Sequence, residues 1–176
     1  MAAFDPSIDL SMDPGYRLLH NASVTLFRRG SLLDNTLAQL EMAGYHLVRL
    51  DASGWETPKQ IHRELGRALD FPSYYGHNLD ALDECLRDVV AHRYGWPEGA
   101  TGLVLVFTGY HAYAERESWQ AQALLDAIAR HARGALLFGE RLICLVQSDN
   151  PLIEFDPVGC TPVIWNDAEW LAANRR

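Results

Sequence analysis

The distribution of apolar residues along the chain predicts strands that alternate with helices. Runs typical of strands occur at residues 23–27 (SVTLF), 45–50 (YHLVRL), 101–108 (TGLVLVFT) and 141–147 (RLICLVQ), with a weaker candidate at 161–165. The run at 101–108 has no charged residue and no alternation, which indicates a strand that is covered on both faces.

Between these runs, apolar residues recur at helical spacing. The pattern predicts helices at residues 31–43, 57–70, 78–91 and 119–135, and a short helix at 167–173. Thr57 and Asn78 are suited to be N-caps, Pro58 suits a first helical position, and Gly44 suits a helix end. The alternation of strands and helices predicts a single α/β domain over residues 1–176, with a small, mostly parallel sheet flanked by helices.

The ends of the chain and its cysteines bear on where the protein resides. Residues 1–15 contain Pro6, Pro14 and Gly15 among scattered acids and are expected to be a flexible lead-in. They lack a basic leader with an apolar run, and no stretch is long and apolar enough to span a bilayer. Cys85, Cys144 and Cys160 are widely spaced and are expected to be free thiols in a reducing compartment. We therefore expect a cytoplasmic protein without a membrane contact.

The charge of the chain favours a basic partner. The formal net charge is −8, from 15 Lys and Arg against 23 Asp and Glu. A chain this acidic repels phosphate backbones, so direct binding of nucleic acid is not expected, whereas a basic protein would be attracted.

The common catalytic and cofactor motifs are absent from the sequence. It contains no GxGxxG or GxxxxGK[ST] loop, no HExxH pair, no GxSxG elbow and no zinc-type spacing of Cys and His. Cys85 lies among Leu82, Leu86 and Val89, which favours core packing over nucleophilic catalysis. We therefore expect neither an enzyme nor a bound metal or cofactor. An enzyme stays one alternative, because acids and histidines that are distant in the sequence can come together in the folded protein.

The segment from residue 71 to 90 (FPSYYGHNLDALDECLRDVV) has a distinctive distribution of charge. Its apolar residues form one helical stripe, and the opposite face bears four acids: Asp80, Asp83, Glu84 and Asp88. Two adjacent tyrosines, Tyr74 and Tyr75, precede the helix, and two aromatics in so short a loop are not expected both to point inward. Exposed tyrosines are preferred interface anchors, and Gly76 allows a sharp turn and a close approach. This acidic, aromatic-edged segment suits the basic cleft of an enzyme that cleaves phosphodiesters.

The stretch YYGHNLDALDECL closely resembles the signature of the barstar family of ribonuclease inhibitors, which has the form YYGxNLDAL-x-[DE]-CL. The order of predicted elements agrees over residues 45–148. Residues 16–44, with an extra strand and helix, and residues 149–176 are then N- and C-terminal additions to a barstar-like core.

The resemblance implies a three-stranded parallel sheet with helices and an inhibitor of a barnase-like ribonuclease. In the family, the signature loop and helix enter the nuclease cleft, where carboxylates occupy the phosphate positions of the substrate. Carried over by position, Tyr74, Tyr75 and Gly76 would form the docking loop, and Asn78 would cap the helix. Asp80 would face basic residues of the enzyme, and Glu84 would be the dominant acidic anchor.

This sequence departs from the family pattern at four places, one of which is His77, where an acid can occur. The anchor is Glu84 where the family has an aspartate before the cysteine, and Asp83 occupies a position that is aromatic in the best-known inhibitor. A second family acid on the later helix has no clear counterpart: Asp126 is nearby, but the register offers Ala129 or Arg130.

Three functions are therefore carried forward. The first is a stoichiometric, immunity-type inhibitor that forms a 1:1 complex with a basic extracellular-type ribonuclease or toxin domain, as in a toxin–antitoxin pair. Its partner-binding residues would be Tyr74, Tyr75, Gly76, Asn78, Asp80, Asp83 and Glu84. The second is a barstar-like immunity or regulatory protein for a different toxin or nucleic-acid enzyme, and the third is the enzyme alternative.

Overall fold

The computed structural model describes residues 2–7 and 9–175 and shows an α/β fold. In chain order the elements are α1 (Pro14–Leu19), β1 (Val24–Phe27), α2 (Gly30–Met42), β2 (Tyr45–Asp51), α3 (Pro58–Ala68), α4 (Leu79–Val90), β3 (Gly102–Thr108), α5 (Tyr110–Arg116), α6 (Ser118–Leu137), β4 (Leu142–Gln147), β5 (Ile164–Trp165) and a 3₁₀ helix (Ala172–Arg175). The predicted strands and the four longer predicted helices are confirmed to within a few residues.

The five strands form one sheet in the order β2-β3-β4-β1-β5, and every neighbouring pair is parallel. The expectation of a small, mostly parallel sheet flanked by helices is therefore confirmed. Parallel strands need crossover connections, and the helices supply them on both faces. Leu33, Leu37 and Leu40 of α2 pack on one face, and the buried residues of α3 to α6 pack on the other.

The segments predicted to be N- and C-terminal additions extend the same sheet. β1 lies between β4 and β5, with Val24 beside Cys144 and Thr25 beside Ile164. The strands of the predicted core, β2-β3-β4, are thus extended on the β4 side.

Glu169, in the C-terminal addition, is joined to the start of α2. Its fully buried carboxylate accepts hydrogen bonds from the backbone N–H of Arg28 (2.8 Å) and Arg29 (3.0 Å) and from Nε of Arg29 (2.9 Å). A carboxylate at this place satisfies free amide donors and complements the positive end of the helix dipole. The two additions therefore stabilise each other.

Two terminal predictions need correction. The helix predicted at 167–173 is wrong: residues 167–169 form turns, and a short 3₁₀ helix follows at Ala172–Arg175. The strand predicted at 161–165 is reduced to Ile164–Trp165, because Thr161 instead forms an isolated bridge with Val158.

Residues of the predicted lead-in contact the rest of the fold. Arg141 donates from Nε to the carbonyl of Ala3 (2.6 Å), and its guanidinium lies 4.0 Å from the ring centre of Phe4. Asp13 caps α1, so the end of this segment leads directly into a helix. The flexibility of residues 1–15 stays a prediction, and residues 1 and 8 lie outside the described residues.

Within the described part of the chain, no helix is both long and apolar enough to cross a membrane.

Candidate functional site

The acidic helix α4 begins as its sequence predicts. Asn78 adopts an extended conformation, and its Oδ1 accepts a hydrogen bond from the backbone N–H of Ala81 at 2.9 Å. Asp80 lies in the first turn, where a negative charge stabilises the helix. The apolar stripe is buried as expected, at Leu82, Cys85, Leu86 and Val89. Asn78 therefore serves α4 as its cap, and the first acid of the charged face, Asp80, is exposed.

The two tyrosines of the loop point in opposite directions. Tyr74 is 81% exposed, whereas Tyr75 is 6% exposed. The Tyr75 hydroxyl shares a hydrogen bond with Nδ1 of His62 on α3, and its ring packs edge-on against Phe71 with centres 4.9 Å apart. The expectation that Tyr75 is available to a partner is therefore wrong, because this side chain fastens the loop to the core. The expectation that the two rings would not both point inward is confirmed, because Tyr74 is exposed.

His62 is the buried polar partner that the sequence did not single out. It follows Ile61 on α3 and is 4% exposed. Burial lowers the pKa of His62, and the nearby imidazole of His77 lowers it further. The same burial raises the pKa of the Tyr75 phenol. This pair is therefore a neutral hydrogen-bonded contact within the fold.

The sharp turn of the loop is made by His77 rather than by Gly76. His77 has φ 51°, in the left-handed region, whereas Gly76 has no positive φ. A Cβ at Gly76 would lie 3.4 Å from the Cβ of Ala81 and 3.3 Å from Nδ2 of Asn78. Gly76 therefore allows close packing of the loop on the first turn of α4, and its predicted role in turning the backbone is wrong.

Asp83 is committed to contacts with α6. Its Oδ1 lies 3.0 Å from Nε2 of His131 and 3.3 Å from a terminal nitrogen of Arg130. The side chain of Asp83 is partly buried in this contact. Asp83 thus helps to join α4 to α6 and has less freedom to contact a partner than the sequence alone suggested.

Asp80 and Glu84 are the free acids of the helix. Both are exposed, and they lie four residues apart, so they project from adjacent turns of one face. Among residues 2–7 and 9–175, neither carboxylate has a hydrogen bond or an ion pair. Asp88 differs, because it is largely buried and pairs with Arg93 at 3.2 Å.

Asp80 and Glu84 line an open groove between α4 and α6. The other charged residues of the groove are Asp83, Arg87, Asp126 and Arg130. Asp126, the candidate for the second family acid, accepts from Nε of Arg130 (3.0 Å) and from the backbone N–H of Gly159 (2.9 Å). Arg130 thus bridges Asp83 and Asp126, and the uncompensated negative charge is concentrated at Asp80 and Glu84.

Two of the three cysteines are consistent with packing roles. Cys85 and Cys144 are buried and Cys160 is exposed, all three as free thiols. Burial raises the pKa of Cys144, which disfavours the reactive thiolate. No group of three or more potential metal ligands occurs in the ranges that the structure describes.

Comparison with known proteins agrees with this architecture. Residues 45–147 match the model of the family described as "Barstar (barnase inhibitor)". This range covers more than half of the chain, and the chain belongs to the barstar family. It contains β2 to β4 with the helices between them, as the resemblance of the signature predicted.

A curated relative is also similar. A Bacillus subtilis (strain 168) protein named "Putative ribonuclease inhibitor YrdF" is 41% identical over 58 residues, which are 33% of this chain and 56% of the relative. The chain therefore spans about half the length of this relative.

Proposed function

We propose that this protein is a stoichiometric inhibitor of a barnase-like ribonuclease and that it blocks the active-site cleft with the exposed face of α4. The observation that carries the proposal is a pair of exposed carboxylates on adjacent turns, Asp80 and Glu84, which have no partner among the described residues. The exposed ring of Tyr74 lies in the loop that precedes this helix. Membership of a family described as barnase inhibitors supplies the class of partner.

The chemistry of this surface suits a cleft that binds phosphates. Carboxylates presented by a rigid helix can accept charge-assisted hydrogen bonds from arginine and lysine side chains that otherwise contact the substrate. Because the ion pairs of Asp83 and Asp126 are formed within the protein, Asp80 and Glu84 carry the contact in this proposal. Tyr74 adds apolar area at the edge of the contact.

The remaining predicted partner residues have supporting roles in this proposal. Asn78 and Gly76 hold the first turn of α4 and the loop together, and Tyr75 fixes the loop to α3. The helix and the loop are therefore ordered before the partner binds, which reduces the entropic cost of association.

A titration of barnase with the purified protein tests this function. We expect cleavage of RNA to fall linearly and to stop at one equivalent of the protein. Association should be faster at low than at high salt, because screening weakens the attraction of opposite charges. Full activity of barnase in excess protein would contradict a barnase-like target.

A second candidate function is a barstar-like immunity or regulatory protein for a different toxin or nucleic-acid enzyme. The observation that favours it is Asp83, an ion-paired acid at a position where the best-known inhibitor has an aromatic residue. A toxin encoded beside this protein would be the enzyme to titrate. Inhibition of that enzyme but not of barnase would select this second function.

A further inference from the structure

One edge of the sheet has unused hydrogen-bonding groups. β2 is a seven-residue edge strand that pairs only with β3 among the strands of the described residues. The backbone N–H of Ala52 donates to the carbonyl of Thr108 on β3, at 2.8 Å. Since peptide groups alternate in direction along a strand, Val48 and Leu50 also face β3. Leu47, Arg49 and Asp51 then direct their backbone groups outward.

A groove runs along this edge, between β2 and α3. It is lined by Arg49, Leu50 and Asp51 of the strand and by Arg63, Glu64 and Arg67 of the helix. The two acids in the groove already accept hydrogen bonds: Glu64 from Nε1 of Trp55 (2.7 Å) and Asp51 from the backbone N–H of Ser53 (3.0 Å). Among the described residues, neither acid forms an ion pair with Arg49, Arg63 or Arg67.

The cations near this groove are exceptional in the chain. Most described arginines form an ion pair or donate to a carbonyl. Among residues 2–7 and 9–175, the arginine and lysine side chains that do neither are Arg49, Lys59, Arg63, Arg67 and Arg133, and only Arg133 lies outside β2 and α3. Lys59, Arg63 and Arg67 are exposed and recur every fourth residue, so they form one positive stripe. Like charges at this spacing repel one another, and an anionic partner would relieve the repulsion.

We propose that the groove between β2 and α3 binds an extended acidic segment of a partner protein, which adds to the sheet as a strand beside β2. Its backbone pairs with the outward groups of Leu47, Arg49 and Asp51, and alternate carboxylates reach Arg63 and Arg67. Strand addition of this kind combines backbone hydrogen bonds for affinity with alternate side chains for specificity. The site lies apart from the α4 face and does not depend on the ribonuclease proposal.

Charge and backbone pairing distinguish this occupant from two others. A second copy of the chain paired through β2 about a two-fold axis would bring Arg63 and Arg67 toward their own counterparts. A nucleic acid has no peptide groups and would leave the strand edge without a pairing partner. The backbone of an acidic polypeptide pairs with the β2 edge, and its carboxylates form ion pairs with the arginines.

Binding of a synthetic peptide of alternating glutamate and threonine to the full chain tests the proposal. We expect amide hydrogen exchange to slow at Leu47, Arg49 and Asp51 and to stay unchanged at Val48 and Leu50, which already bond to β3. Two peptide controls separate backbone pairing from charge: methylation of alternate peptide amides should abolish binding, and lysine in place of glutamate should do the same.

Variants of the protein test the arginines. The double variant R63E/R67E should bind the acidic peptide at least about tenfold more weakly. R133E changes an exposed arginine of α6 and should leave the affinity unchanged. Three results would overturn the proposal: equal binding of the methylated peptide without protection of the β2 edge, tighter binding of a uridine oligonucleotide through the same arginines, or a dimer that protects this edge in the protein alone.

Discussion

The hydroxyl of Tyr75 is hydrogen-bonded to Nδ1 of His62, and both side chains are buried beneath the loop that precedes α4. This contact joins the signature loop to α3 and leaves Tyr74, the preceding residue in the sequence, in solvent. The first of two adjacent tyrosines therefore belongs to the surface and the second to the core, and the two should respond differently to mutation.

Tyr75→Phe should destabilise the fold and spare the interface. The variant leaves the buried Nδ1 of His62 without a partner, which should lower the free energy of unfolding by about 1–3 kcal/mol. Tyr74→Ala, the matched change, should leave the unfolding free energy within about 0.5 kcal/mol and weaken nuclease binding. Urea unfolding and the dissociation constant, measured for both variants, check the pair. Unchanged stability of Tyr75→Phe would contradict the role of the buried hydrogen bond.

The stability of the protein should fall in mild acid because of His62. Its pKa is lowered in the folded state, chiefly by burial, relative to about 6.5 in an unfolded chain. Below about pH 6.5 the unfolded state therefore takes up a proton that the folded state resists, so unfolding becomes easier as pH falls toward the lowered pKa. Above about pH 6.5, the contribution of neutral His62 to the free energy of unfolding is fully present.

This prediction is checked by the unfolding free energies of the parent protein and of His62→Gln. Both are measured above and below the pH range in which His62 takes up its proton. The variant should lose part of the pH dependence, and His20→Gln, at an exposed position, should retain it. An identical pH dependence in the parent protein and His62→Gln would count against the proposed titration.

Asp83 should contribute more to stability than the neighbouring Glu84. Asp83→Asn weakens the ion pairs with Arg130 and His131, and the free energy of unfolding should fall by about 0.5–1 kcal/mol, a size typical of partly exposed pairs. Glu84→Gln breaks no contact within the described chain, so its unfolding free energy should change by less than about 0.5 kcal/mol. Equal destabilisation by the two changes, in parallel urea unfolding experiments, would show that the contacts with α6 contribute no net stability.

Glu169→Gln should destabilise the contact between the predicted N- and C-terminal additions. The buried carboxylate accepts three hydrogen bonds at the start of α2, and loss of its charge should cost about 1.5–3 kcal/mol of unfolding free energy. Nuclease affinity should be retained, because α4 lies outside this contact. Asp167→Asn, in the same segment but at an exposed carboxylate, is the control and should leave the unfolding free energy nearly unchanged.

Most of the fold was predictable because the local sequence patterns of its strands and helices are strong. Apolar runs such as 101–108 indicated the strands, and caps such as Thr57 and Asn78 indicated where helices begin. The end of the chain was harder to predict. Its strand β5 has only two residues, which is too short for a pattern, and Glu169 is held by a partner more than 100 positions away in the sequence.

The candidate site was predictable only in part. The signature and the helical spacing identified α4 and its acids. They could not separate Tyr74 from Tyr75, because a loop has no period that assigns one ring to the core. Nor could they separate Asp83 from Glu84, since the pairing of Asp83 with Arg130 depends on how α6 packs against α4.

The most direct test of the central proposal is the affinity of Glu84→Ala for the nuclease that the parent protein inhibits. Asp88→Ala is the matched control, because Asp88 lies four residues further along the helix and is already paired with Arg93. We predict a loss of at least about 2 kcal/mol of binding free energy for Glu84→Ala, roughly thirtyfold in Kd. Asp88→Ala should weaken binding far less, and both variants should be measured where they are fully folded. An unchanged Kd for Glu84→Ala would contradict the proposal that the exposed acids of α4 occupy the nuclease cleft.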